Sequence, residues 1–181
     1  MLKNMKVYLR ALELEDYQTS IAWRQDQQIW NMVVGRRYFV SSEFEKKWVQ
    51  QAGDLQGQLK LAICDVLTDN YIGNIYLNNI DFFNRTANSG KLIGNKAYWG
   101  KGFGTHATLL LLYHAFYDLG LERIESRVLL HNQASIRVLE KCGYKAEGVM
   151  RKAVFKQGRS QDLVLMSVIR EDYDEVIKIY Q

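Results

Sequence analysis

The chain has 181 residues, enough for one domain with its own core. Hydrophobic residues make up 48% and charged residues 24%, which excludes a disordered, collagen-like or membrane-embedded chain by composition. The formal charge of +4 comes without a dense basic run (the nearest are the pairs Arg36-Arg37 and Lys46-Lys47), so it suits a small polyanionic ligand and argues against nucleic acid.

Lys6 to Arg10 alternates and reads as a first strand. Asp16 is placed to cap a helix carrying Tyr17, Ile21, Ala22 and Trp23. Apolar spacing continues from Ile29 to Val34, and Gly35-Arg36-Arg37 breaks it. Ser41 or Ser42 with Glu45 forms a capping-box pattern ahead of a helix over Glu43 to Gln51. Gln58 to Val66 and Tyr71 to Ile80 read as a hairpin turning at Thr68-Asp69-Asn70, and Thr86 to Gly94 as the third strand of that meander. His106 to Leu119 is apolar on most faces, the pattern of a helix buried against a sheet, and Gly120 ends it. Arg123 to Leu129 alternates as a strand, and Asn132 opens a helix that closes at Cys142-Gly143. Tyr144 to Phe155 and Gln161 to Ile169 form a last hairpin turning at Lys156 to Arg159, followed by a helix from Tyr173 to Tyr180. The order is β-αα-βββ-α-β-α-ββ, a single mixed α/β (α+β) domain over residues 1–181 without repeat or linker.

Cys64 and Cys142 stand far apart, which is neither a metal pattern nor a secreted disulfide framework, so both read as buried thiols. His114 and His131 have no metal-ligand partners at suitable spacing, and no metal is expected. Met1 to Arg10 carries no long apolar run, and the apolar helix is too short for a bilayer, so the expected location is the cytoplasm, away from any membrane.

The chain is organised around Leu92 to Thr105, where a strand enters a turn with Gly100, Gly102 and Gly104 and a helix follows. Glycine backbones approach a ligand closely, and a helix start offers unpaired N–H groups at the positive end of its dipole. The arrangement is a phosphate or pyrophosphate cradle. The G-x-G-x-G spacing does not fit the dinucleotide fingerprint G-x-G-x-x-G. It does not fit the P-loop either, because Gly102 follows Lys101 where Ser or Thr belongs. Trp99-Gly100-Lys101-Gly102-Phe103-Gly104 resembles the Gln/Arg-x-x-Gly-x-Gly/Ala loop of acetyl-CoA-dependent N-acetyltransferases, except at its first position.

A second motif agrees. Asn132-Gln133-Ala134-Ser135-Ile136-Arg137-Val138-Leu139-Glu140-Lys141-Cys142-Gly143-Tyr144 resembles the N-x-A-S-x-x-V-x-x-K-x-G-F/Y motif of the GNAT superfamily, in particular the branch containing ribosomal-protein N-terminal acetyltransferases. Tyr8-Leu9-Arg10, Trp23-Arg24, Glu147-Gly148 and Asp162 extend the resemblance over nearly the whole chain.

The resemblance implies a mixed, mostly antiparallel sheet splayed between its fourth and fifth strands, with acetyl-CoA as co-substrate in the opening. Leu92, Ile93 and Gly94 would flank the pantetheine. Trp99, Gly100, Lys101, Gly102, Phe103, Gly104 and Thr105 would wrap the pyrophosphate, with Lys101 as a charge-assisted contact or a solvated loop lysine. Asn132 and Ser135 would face the pantetheine arm, with helix capping as the plainer role of Asn132. Arg137 and Lys141 read as surface charges.

Acetyl transfer to an amine needs a polarised thioester carbonyl, a neutral nucleophile and a proton for the leaving sulfur, and the backbone at Ile93 or Gly94 is the expected carbonyl donor. The family's customary ionisable positions fall on Asn88, Leu139 and Val154, which cannot serve. Ser135 remains as a donor to the sulfur, and Asp162 as a holder of the amine or a partner of Arg151 or Arg159. Glu147 reads first as a solvated strand-end carboxylate, with a base acting through water as the alternative. His106, at a helix start that lowers its pKa, reads first as a capping or surface residue. Trp23, Trp30, Tyr38, Phe39 and Trp48 read first as core, and Arg36 and Arg37 as loop charges that an acidic acceptor would meet. The expected activity is acetyl transfer from acetyl-CoA to a primary amine, a protein N-terminus or a small molecule, in a ternary complex. The alternative is a non-catalytic acyl-CoA-binding or regulatory module. Expected partners are acetyl-CoA and the amine, with a homodimer as an option.

Overall fold

The computed structural model describes residues 2–35, 39–53 and 57–180. A two-residue strand β1 (Leu2–Lys3) precedes β2 (Val7–Ala11). Helices α1 (Tyr17–Gln25), α2 (Gln27–Asn31) and α3 (Ser42–Gln50) follow. The meander is β3 (Gln58–Asp65), β4 (Tyr71–Asp81) and β5 (Thr86–Ile93). Then come α4 (Phe103–Tyr113), β6 (Arg123–Leu129), α5 (Gln133–Glu140), β7 (Lys145–Lys156), β8 (Arg159–Ile169) and α6 (Arg170–Ile177). The expected first strand is thus β2, and the expected fourth and fifth strands are β5 and β6.

Three local readings change. Asp16 does not cap α1: its carboxylate turns back to accept from the backbone N–H of Glu13 and to pair with Arg10 at 2.7 Å. Asp26 breaks the first helical pattern in two by accepting from the N–H groups of Gln28 and Ile29. Ser41 does cap α3, accepting from Phe44 N at 3.2 Å, but Glu45 does not close the box. Its fully buried carboxylate accepts from Ser20 Oγ at 2.7 Å and Arg24 Nε at 3.0 Å, tying α3 to α1. A buried carboxylate needs charge and hydrogen bonds more than a helix needs its box.

The sheet has eight strands in the order β1-β2-β3-β4-β5-β6-β8-β7. Every neighbouring pair is antiparallel except β5 and β6. Those two pair only at Thr86↔Arg123, Ala87↔Ile124 and Asn88↔Glu125, after which they part. Each stays paired on its outer side, β5 to β4 up to Ile93 and β6 to β8 up to Leu129. Hydroxyls hold the fork: Ser89 Oγ donates to Glu125 O (3.2 Å), Ser126 Oγ donates to Ser89 O (3.3 Å), and Ser89 Oγ also meets the buried Tyr144 hydroxyl at 2.7 Å.

Directly paired residues share a face of the sheet. One face presents Leu59, Leu61 and Ile63 of β3 with Ile75 and Leu77 of β4 to the core, against which α4 packs its buried Ala107, Leu111 and Leu112. The opposite face carries Lys60, Tyr76 and Gly90 in one row across β3, β4 and β5. Trp23 of α1 covers its end, since a Cβ on Gly94 would lie 1.9 Å from the indole. Among the described residues, no helix is long and apolar enough to cross a membrane.

Candidate active site

The opening between β5 and β6 is the mouth of a cleft of about 590 Å³. Beyond Asn88 and Glu125, the inward-facing backbone groups of both strands have no partner strand. Such groups, when shielded from water, need a hydrogen-bonding ligand. An extended amide chain laid along β5 meets that need, and the pantetheine arm is one.

The glycine turn follows β5. Asn95 accepts from Ala97 N to open a single 3₁₀ turn, and Gly102 with φ 84° stands where α4 begins. No side chain caps α4, so the first N–H groups of the helix stay available for an anion. Lysines gather there. Lys6 Nζ donates to Lys101 O at 2.8 Å and lies 5.3 Å from the Phe103 ring centre. Lys91 of β5 runs beneath Gly104, its Cε 3.4 Å from where a Cβ on that glycine would stand. Lys101 is exposed. Lys6 and Lys91 lie eight or more positions from the loop in sequence, and nothing in the linear pattern singles them out.

Trp99 is the position that departs from the usual loop. Its indole N–H donates to Ile93 O at 2.8 Å and closes the turn onto the strand end. Gly94 is needed for its approach to Trp23, and its N–H is already donated to Ile72 O at 2.9 Å. The expectation that Gly94 donates to the thioester carbonyl is therefore corrected.

On the other wall, Asn132 is buried and doubly used. Its side chain accepts from Ser135 N (3.1 Å) to cap α5 and donates to Met32 O (2.7 Å), linking α5 to the loop after α2. Lys156 holds the same loop by donating to the carbonyls of Trp30, Val33 and Gly35 at 2.6, 2.7 and 2.9 Å. Ser135 and Leu139 both line the cleft, and Leu92 lines it from β5. The Ser135 hydroxyl has no hydrogen-bond partner among the described residues, which leaves it open to a ligand.

Other expected residues are placed elsewhere. Asp162 Oδ1 accepts from Lys152 N at 2.7 Å, where β7 bulges, in place of the expected pairing with Arg151 or Arg159. Glu147 is locked by both nitrogens of Arg123 at 2.6 Å and by Ser167 Oγ at 2.6 Å. The guanidinium holds its pKa down to about 2, too low for a base. His106 is half-buried against Tyr180, and burial, then the Lys6 charge, lowers its pKa. The direction matches the sequence reading but the cause does not. His114 pairs with Asp118 at 2.6 Å, and both cysteines are buried. Trp23 and Trp30 are buried as read, whereas Phe39 is fully exposed. Arg36, Arg37 and Tyr38 lie outside the described residues.

These features match a known family over most of the chain. Residues 6–145 fit the family model for the acetyltransferase (GNAT) domain. The chain belongs to the GNAT acetyltransferase family. The N-acetyltransferase p20 of Bacillus licheniformis is 30% identical over 171 residues, 93% of this chain and 95% of that protein. YdaF of Bacillus subtilis, named for ribosomal N-acetylation, is 32% identical over 127 residues, 70% of this chain and 67% of that protein. The crystal structure of spermidine N-acetyltransferase from Vibrio cholerae in complex with CoA and spermine superposes with a TM-score of 0.85 at 26% identity, covering 94% of this chain and 99% of that one.

The GNAT fold fixes acetyl-CoA as the co-substrate and an amine as its acceptor, and the cleft is lined by strands β3 to β6, with Arg24 of α1 at its wall. One side chain that the sequence did not single out stands there. The Tyr76 ring lies over Gly90, whose added Cβ would be 2.5 Å from the phenol oxygen. Any larger residue at 90 would displace it. Burial raises the Tyr76 pKa, so the phenol stays protonated and serves as a donor. Among the described residues, no Asp, Glu or His lines the cleft.

Proposed function

We propose that residues 1–181 form one cytoplasmic domain that acetylates a primary amine by direct attack within a ternary complex. The observation that carries the reading is the fork between β5 and β6, which exposes unpaired strand backbone beside an uncapped helix start. In this reading Trp99 to Thr105 receives the pyrophosphate, with Lys6, Lys91 and Lys101 around it. Leu92 and Ile93 lie along the pantetheine. Asn132 acts by shaping the start of α5, and Gly94 by admitting Trp23.

The neutral amine nitrogen attacks the thioester carbonyl carbon, the C–N bond forms and the C–S bond breaks. Amine and acetyl-CoA become amide and free CoA, with the amine proton balancing the thiolate. Of the hydroxyls lining the cleft, those of Ser89, Thr108 and Ser126 are donated to backbone carbonyls, and either Ser135 or Tyr76 supplies the sulfur's proton. The amine arrives neutral from water, since among the described residues no carboxylate or imidazole lines the cleft to deprotonate it.

Calorimetry with acetyl-CoA, followed by product analysis over a panel of amines, tests the proposal. Binding with stoichiometric acetyl transfer is expected. Absence of binding at millimolar acetyl-CoA defeats it, and so does a kinetically competent acetylated protein on the pathway. Binding with no transfer to any amine favours the non-catalytic module, a reading supported by the non-ionisable Asn88, Leu139 and Val154.

A further inference from the structure

The acceptor side of the cleft is built from hydrogen-bond donors that carry positive charge. Arg24, Lys60 and Arg127 line it, together with Trp30, Trp48 and Tyr76. Lys60, Tyr76 and Gly90 share one row of the sheet, and Arg127 lies on the same face of β6, across the fork. Two cations lie over Trp48, Arg24 Cζ at 4.7 Å and Lys60 Nζ at 5.2 Å from its ring centre. Arg24 also lies 5.6 Å from the centre of the Trp30 ring.

Among the described residues, only one of these charges has an ionic partner. Arg24 gives its Nε to the buried Glu45, and its terminal nitrogens have no acceptor among the described residues. Lys60 and Arg127 form no ion pair among the described residues. Burial, then the Arg24 charge, lowers the Lys60 pKa, as expected where like charges meet without an anion between them. The buried Trp30 indole N–H, a donor only, also lacks an acceptor among the described residues.

Donors need acceptors, and cations need anions. A protonated polyamine offers only donors and positive charge, so it would leave every one of these groups unsatisfied and be repelled. A carboxylate or phosphate offers only acceptors and negative charge. Binding of CoA does not use these groups, because its phosphates belong at the glycine turn past the end of β5, whereas Lys60 is in register with Tyr76 and Gly90 in mid-strand. The cleft also has to hold the acetyl-pantetheine end within its 590 Å³, which favours a small acceptor.

We infer that this acetyltransferase acts on a small primary amine carrying an anionic group, a carboxylate or a phosphate, which Arg24, Lys60 and Arg127 hold while the amine faces the thioester. The inference rests on the proposed acetyl transfer and names its substrate class. It separates this chain from the relatives named for spermidine.

The test is a steady-state assay with amino acids and phosphorylated amino sugars, each beside its neutral amide or dephosphorylated counterpart, and with spermidine. The anionic member of a pair is expected to have a kcat/KM about tenfold or more above the neutral one, and well above spermidine. The carboxylate and phosphate arms identify which anion is preferred. Lys60→Gln and Arg127→Gln should each raise KM for the anionic amine by about tenfold. They should leave KM for the neutral counterpart and the acetyl-CoA Kd unchanged, a pattern that a folding defect does not produce. Equal use of neutral amines, or preference for spermidine, overturns the inference and leaves the acetyl transfer standing. Acetyl-CoA binding with no transfer to any amine overturns both.

Discussion

The indole N–H of Trp99 donates to the carbonyl of Ile93 across 2.8 Å, so the first residue of the glycine turn is fastened to the last residue of β5. A residue that departs from the usual loop pattern thereby holds the turn in place. Its hydrogen bond fixes where Gly100 and Gly102, both at positive φ, begin to wrap toward α4.

Trp99→Phe keeps the ring and deletes the donor. One hydrogen bond contributes about 0.5–1.5 kcal/mol, so acetyl-CoA affinity should fall by roughly three- to tenfold with the melting temperature little changed. Calorimetric titration of the variant measures this, and an unchanged affinity would separate the turn's geometry from cofactor binding.

Gly94→Ala places a methyl group 1.9 Å from the Trp23 ring, a separation at which something must shift. Overpacking of this kind costs about 1–3 kcal/mol, read as a lower denaturation midpoint. Gly104→Ala is the contrast, since its methyl meets the flexible Lys91 stem at 3.4 Å and Ile93 Cγ1 at 3.9 Å, both ordinary contacts. Its stability should stay near that of the parent, and any loss of acetyl-CoA binding there would report the ligand's approach.

Glu147 is bonded to Arg123 and Ser167, which depresses its carboxyl from 4.5 to about 2. A depressed carboxylate contributes stability that is complete above its unfolded pKa and lost as pH falls from about 4.5 toward 2. Its side chain is 37% exposed, so solvent screening limits the gain to about 1 kcal/mol. Glu147→Gln should therefore be less stable than the parent at neutral pH, with the gap closing at pH 2 in denaturant titrations. Turnover should be retained, because a locked carboxylate of this strength is no base; a hundredfold loss of kcat would return it to the reaction.

With no carboxylate or imidazole lining the cleft among the described residues, the rising limb of the pH–rate profile should belong to the acceptor. Two acceptors whose amines differ in pKa should give profiles displaced by that difference. A limb that stays fixed for both would point to an ionisable base in the protein.

Lys156 ties the loop after α2 to β7 through three carbonyls. Lys156→Met retains the stem and removes those bonds, with an expected loss of about 1.5–3 kcal/mol for charged-donor hydrogen bonds. Amide exchange should quicken around Met32 to Gly35, and acceptor KM should rise while the acetyl-CoA Kd stays constant.

The order of elements, the glycine turn, the Asn132 helix and, through them, the cofactor are legible in the chain alone. These are legible because alternation, helix caps and glycine turns are local: each is set by residues within a few positions of one another. Glu45 shows where that logic stops, since a capping-box position became a buried partner of Arg24 and Ser20 on another helix.

What lines the cleft is set by pairing and packing. Lys60, Tyr76 and Gly90 are neighbours through strand register, and Arg127 joins their face across a fork. Lys156 reaches a loop more than a hundred residues before it. Charge balance in a cleft is a sum over groups brought together by pairing and packing. A chain read in order does not show which cations share a wall, or that among the described residues Arg24 alone of the three has a carboxylate partner.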